Sequence, residues 1–192
     1  MCAMRRYIVY ILLFLGIGLC GCRKVSYPRP YGYRRIVLPE AEYVPLQAKE
    51  PYTFEQSRYA QWVEVANKGK GEWMNLHYDV LNADIHCSYM PIKGNLRELT
   101  DDAVQFVYKH VSQASSIPER SFVNEEAKVY GVFFILEGNT ASPYQFFLTD
   151  STEHFFRGAA YCNCRPNADS LQPVLEYLEK DIEHLIETFA WK

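Results

Sequence analysis

Two hydrophobic periods run through this chain. The longest falls at its end: Leu171, Val174, Leu175, Leu178, Ile182, Leu185, Ile186 and Phe189 recur at steps of three and four, which places them on one stripe of a helix. Glu176, Glu179, Lys180, Glu183 and Glu187 fill the opposite, solvated face. Asp169 or Ser170 supplies a capping oxygen, so the helix is expected to start near Ser170, with Pro173 placed where no intrahelical donor is lost. Ahead of it, Val129–Leu136 is almost wholly apolar, as a strand buried on both faces should be, whereas Tyr144–Thr149 and Phe155–Asn163 mix in polar positions. Gly138, Asn139 and Pro143 break the first pair of runs, and Asp150, Ser151 and Thr152 the second, giving an antiparallel meander with the last helix across one face.

Earlier in the chain the same two periods recur. Trp62–Ala66 and Glu72–Asp79 flank the turn Asn67–Gly71 and read as a hairpin. Those glycines lack the GxxxxGK[ST] pattern of a phosphate loop. Asp84–Met90 alternates, with Ile85, Cys87 and Tyr89 on one face and His86 and Ser88 on the other. Asn95 then caps a second helix whose stripe runs Leu96, Leu99, Ala103, Phe106, Val107, His110, Val111 and Ala114. Arg35–Leu38 is a short strand stopped by Pro39, and the stretch from there to Tyr59 reads as an irregular wrap. The expected class is α+β: a mainly antiparallel sheet with two packed amphipathic helices.

Composition adds a large aromatic payload, with 15 Tyr and 11 Phe in 192 residues. Residues 1–21 carry Arg5, Arg6 and no acid, so their removal leaves 18 basic against 23 acidic residues, which argues against nucleic acid as a partner. Those residues have the form of a signal peptide: a basic start, an apolar run from Tyr7 to Leu19 too short for a comfortable membrane span, then small residues. Leu19-Cys20-Gly21-Cys22 resembles the bacterial lipobox, which makes Cys22 the acylated first residue of the mature protein and membrane lipid its first partner. Each buried acyl CH2 contributes about 0.8 kcal/mol, and more than one chain makes the attachment stable. Residues 23–35 hold five basic residues, two prolines and no acid; residues 22–34 are read as a tether that either stays solvated or rests on anionic headgroups, and residues 35–192 as one globular domain. The tether lacks the acidic residues that tend to follow the lipidated cysteine of surface-exported Bacteroidetes lipoproteins, so the protein is read as facing the periplasm.

Catalytic and metal-binding patterns are not apparent. His77, His86, His110, His154 and His184 are scattered, with no HExxH, and Asp150, Ser151 and His154 lie too close together in a turn to converge as a triad. The protein is expected not to be an enzyme and to need no metal or cofactor. Of the mature cysteines other than Cys22, a disulfide would join Cys87 to Cys162 or Cys164, the alternative being buried free thiols; no histidine sits at zinc-ligand spacing from Cys162 and Cys164.

The strings KVYGVFF, GNTASPYQFFLTDSTEHFFRGAAYCN, RPNADSLQPVLEYLEKDIEHLIETFAWK and DIHCSYMP, from about Tyr33 to the C-terminus, resemble the gliding-motility lipoprotein family GldD of the Bacteroidetes. The resemblance implies a membrane-anchored periplasmic component of the gliding and type IX secretion machinery, with other lipoproteins or membrane proteins of that machinery as partners. It carries over one residue, the acylated Cys22, and no catalytic ones. The element order is also similar to the Mog1/PsbP-type α/β/α sandwich. A periplasmic small-ligand binder or enzyme is the rival reading.

Overall fold

A computed structural model describes residues 37–47, 49–65 and 72–192. The expected signal peptide, tether and Cys22, and the whole Asn67–Gly71 turn together with Ala66, lie outside these residues.

Seven strands make one antiparallel sheet. In chain order they are β4 (Gln61–Glu64), β5 (Glu72–Tyr78), β6 (Ala83–Pro91), β8 (Glu119–Asn124), β9 (Val129–Ile135), β11 (Tyr144–Thr149) and β12 (His154–Cys162). In space the order is β4-β5-β6-β12-β11-β9-β8. The predicted hairpin is β4–β5, with Gln61 opposite His77 and Glu64 opposite Met74. The predicted meander is β9-β11-β12. The two halves join where β6 pairs with β12 over nine residue pairs, from Ala83–Cys162 to Pro91–His154. Directly over that seam Gly158 is required, because a Cβ there would collide with the Phe146 ring from β11.

One helix covers each face, and the period-2 alternation of the strands sorts their residues between the two cores. On one side Met74, Leu76, Ile85, Phe133, Phe146, Leu148 and Phe156 meet the stripe of α2 (Ala168–Glu187). On the other, Phe134, Phe147 and Phe155 meet Leu99, Ala103 and Val107 of α1 (Leu96–Tyr108). The strand buried on both faces is therefore β11, all six of whose residues are buried, including Gln145 and Thr149, rather than the more apolar β9. Position in the sheet outweighs hydrophobicity here, because β11 lies third from one edge and under both helices.

Several local expectations change for identifiable reasons. The cap of α2 is Asn167, whose side chain accepts from the Ser170 N–H, so the helix begins two residues before Ser170 and Pro173 is inside it. That proline removes one bond of the ladder, at an exposed first turn where water can serve the freed carbonyl. Two residues of the acidic face of α2, Glu179 and Glu183, are half-buried and pair with Arg120 of β8, the former at 2.9 Å. Asn95 precedes α1 without a side-chain cap bond; its Oδ1 accepts from the Lys93 N–H at 2.8 Å instead. The helix stops at Tyr108, and His110 and Val111 follow in tight turns, the last closed by the Ala114 N–H donating to the His110 carbonyl. Their helical spacing persists because such turns keep nearly helical backbone angles. Ala114–Ser116 then forms β7, paired with β10 (Glu137–Gly138).

The wrap before the sheet contains more structure than its sequence suggests. Residues 37 and 38 form no strand. β1 (Tyr43–Pro45) pairs with β3 (Glu55–Ser57), and β2 (Tyr52–Thr53) pairs with β13 (Ala190–Trp191), a short strand just beyond the last helix. Tyr52 and Phe54 are fully buried and ring-stacked on Phe189 at 5.6 and 6.0 Å. Tyr43 stacks on His184 of α2 and donates to buried Asp181 at 3.1 Å, with the Tyr78 and Ser57 hydroxyls nearby. Burial raises the Asp181 carboxyl above its ordinary range, and its Oδ2 has no partner.

Candidate functional site

Helix α1 packs over β11 and β12 and leaves the same face of β6, β5 and β4 without a helical cover among the described residues. Because side chains alternate across the sheet, register alone defines the rows on this face. One row runs Trp73, Ser88, Arg157, Phe147; the next runs Val63, Asn75, His86, Ala159, Gln145. Trp73 is 42% exposed and Val63 44%, while Gln145, at the covered end, is 2% exposed.

Arg157 is the centre of this face. It is half-buried in the middle of β12, and its guanidinium donates to Gln145 Oε1 at 3.1 Å. The guanidinium also lies 4.3 Å from the centroid of the Phe106 ring on α1, a ring that Lys109 Nζ approaches at 4.2 Å. No carboxylate pairs with Arg157 among the described residues, and the groups that favour its charge are Tyr161 and Cys87. Burial therefore lowers its pKa. Gln145 Nε2 is buried with no acceptor among the described residues. The local inventory is thus rich in donors and short of acceptors, which is the chemistry of a site for an anionic oxygen.

The polar residues toward the far end of this face are satisfied within the protein. His86 Nδ1 meets Asn75 Oδ1 at 2.8 Å, His77 Nδ1 meets Asp84 Oδ1 at 2.6 Å, and Asn163 donates to Asp84 Oδ2. Hydrogen bonds to Asp84 and Asp79 raise the His77 pKa. Arg157 is the exception to this pattern. The signal was present in the sequence as a single cation inside FFRGAAYCN, but its orientation depends on which face α1 covers.

The residues singled out from sequence do not converge. Cys87, Cys162 and Cys164 are free thiols. Cys87 stands opposite Gly158, four residues along β12 from Cys162, beyond the reach of a disulfide, and Cys164 lies past the strand end. Burial pushes the Cys87 thiol up to about 12 and Cys162 up to about 11, so neither is a ready thiolate. Asp150, Ser151 and His154 form a turn: Asp150 Oδ1 accepts from the N–H groups of Thr152, Glu153 and His154, and Ser151 has a left-handed φ of 69°. His154 Nδ1 bonds Tyr89 OH at 2.8 Å, well away from any nucleophile geometry. No group of three or more His, Cys, Asp and Glu among the described residues is placed to hold a metal.

The family model for the gliding motility lipoprotein GldD matches residues 23–191. The chain belongs to this family. Gliding motility and a lipoprotein character are accordingly properties of a GldD-family protein such as this one. No curated protein matches the chain. No helix among the described residues is long and apolar enough to cross a membrane. On this GldD-family chain, the open face around Arg157 presents a half-buried cation that no carboxylate among the described residues pairs with.

Proposed function

We propose that this protein is a periplasm-facing lipoprotein, anchored through Cys22, that assembles or stabilises the gliding and type IX secretion machinery by protein contact rather than by catalysis. The observation that carries this reading is the GldD family match over residues 23–191. The lipobox at Cys22 and the basic, proline-containing tether support the anchored geometry, since an extended linker of this kind spans on the order of 3 Å per residue and holds the body off the bilayer. The test is deletion followed by complementation. Cells without the protein are expected to lose gliding and to retain type IX cargo inside, and the full-length gene should restore both. Normal gliding and secretion in the deletion strain would overturn the proposal. Restoration of gliding alone would remove the secretion role.

A further inference from the structure

We propose that the open sheet face around Arg157 docks an acidic segment of a partner protein, with a carboxylate of that segment taking the Arg157 guanidinium. This rests on the reading of the protein as an assembly component and names the surface it would use.

The argument begins with an imbalance. A cation withdrawn from water is costly unless paired, and natural proteins keep such a group where a counter-charge arrives. Arg157 is half-buried, has only a neutral amide oxygen and an aromatic ring as close partners, and faces no carboxylate among the described residues. Gln145 Nε2, buried beside it on the neighbouring strand, finds no acceptor among the described residues. Lys109 brings a second cation to the same Phe106 ring. The missing partner is therefore an acceptor of negative charge, and the planar fork of arginine suits a carboxylate held by two hydrogen bonds.

The surroundings favour a protein as its source over a small anion. Trp73 stands two strands from Arg157, about 10 Å away at the usual strand spacing, on the same face. It is 42% exposed, and Phe106 and Val63 are 41% and 44% exposed. A partially buried arginine with exposed aromatic and aliphatic neighbours has the composition of an interface centre. Asp84, on this same face, is already taken up by His77 and Asn163, so the charge left for a partner to complement is that of Arg157.

The test uses the full-length lipidated protein in its own membranes. A photocrosslinking amino acid replaces Trp73, and the crosslinked peptide is identified by mass spectrometry. The expected result is a peptide of a gliding or secretion component containing Asp or Glu. Arg157→Gln should lower the crosslink yield at least tenfold without changing the melting temperature. Arg157→Glu should abolish it, and Lys substituted for the identified partner carboxylate should restore it. Should Arg157→Gln fail to fold, Val63→Ser and Phe106→Ser, both at exposed positions, replace it and should each cut the crosslink to that same partner several-fold. Wild-type recovery of the partner by every folded variant would overturn the surface while leaving the assembly role standing. Failure of the wild-type protein to crosslink any machinery component, by contrast, would sink the assembly role itself. A rise in melting temperature with millimolar acetate or phosphate that is lost in Arg157→Gln, without a protein crosslink, would replace the acidic segment by a small anion and so overturn the proposal.

Discussion

Trp191 stacks on His154 with ring centroids 5.1 Å apart and planes 18° from parallel, while its Nε1 donates to the Lys128 carbonyl at 3.2 Å. The penultimate residue of the chain thereby ties β13 to the start of β12 and to the turn before β9, and its edge meets Phe189 at 4.7 Å. Truncation after Ala190 should destabilise the described domain by about 2 to 3 kcal/mol, less than the 3–5 kcal/mol typical of a fully buried aromatic because Trp191 is only half-buried. Urea unfolding of the truncated and full domains checks this. Unchanged stability combined with lost complementation would instead assign the tail to a partner.

Asp181 is buried on α2 with one oxygen bonded by Tyr43 and the other without a hydrogen-bond partner among the described residues. Because burial raises its pKa in the folded state, ionisation works against folding, and that cost grows as pH rises from the ordinary value of 3.8. Asp181→Asn keeps an acceptor for Tyr43 and removes the charge. The variant should therefore match wild type near pH 3 and gain about 1 kcal/mol relative to it at pH 7. A variant less stable than wild type at pH 7 would show that the charge is favourable where it lies.

The turn built on Asp150 behaves in the opposite sense. Its carboxylate accepts three backbone N–H groups, and these bonds hold its pKa down at about 2. The stabilisation is fully present above 3.8 and is lost as pH falls through about 2. Since the group is only partly buried, Asp150→Asn should cost only about 1 kcal/mol at pH 7, with the gap closing on acidification. Thermal melts of both proteins across this range test the closure.

Anchoring is tested by acyl labelling. Cys22→Ser should abolish incorporation of labelled palmitate and release the protein from membranes, whereas Cys20→Ser should leave processing largely intact. Unchanged labelling of the Cys22 variant would reject the site.

The strands β4, β5, β6, β9, β11 and β12 and the body of both helices were legible in the sequence because periodicity is a property of a single element: one face must be apolar, at a spacing set by local geometry. Phe146 and Phe147, or Phe155 and Phe156, had to point to opposite sides wherever the strand lay. Tertiary structure alone decided what depended on a second element distant in the chain. Strands of two or three residues such as β2 and β13 have no period to read, so the pairing of Tyr52 with Trp191 and the burial of Tyr52 and Phe54 stayed invisible. Edge strand β8 is exposed almost throughout and carries no apolar alternation. Gln145 and Arg157 look like the polar members of half-exposed strands. That one is sealed under α1 and the other left at its border without a counter-charge follows from where a single helix ends on a sheet wider than it can cover.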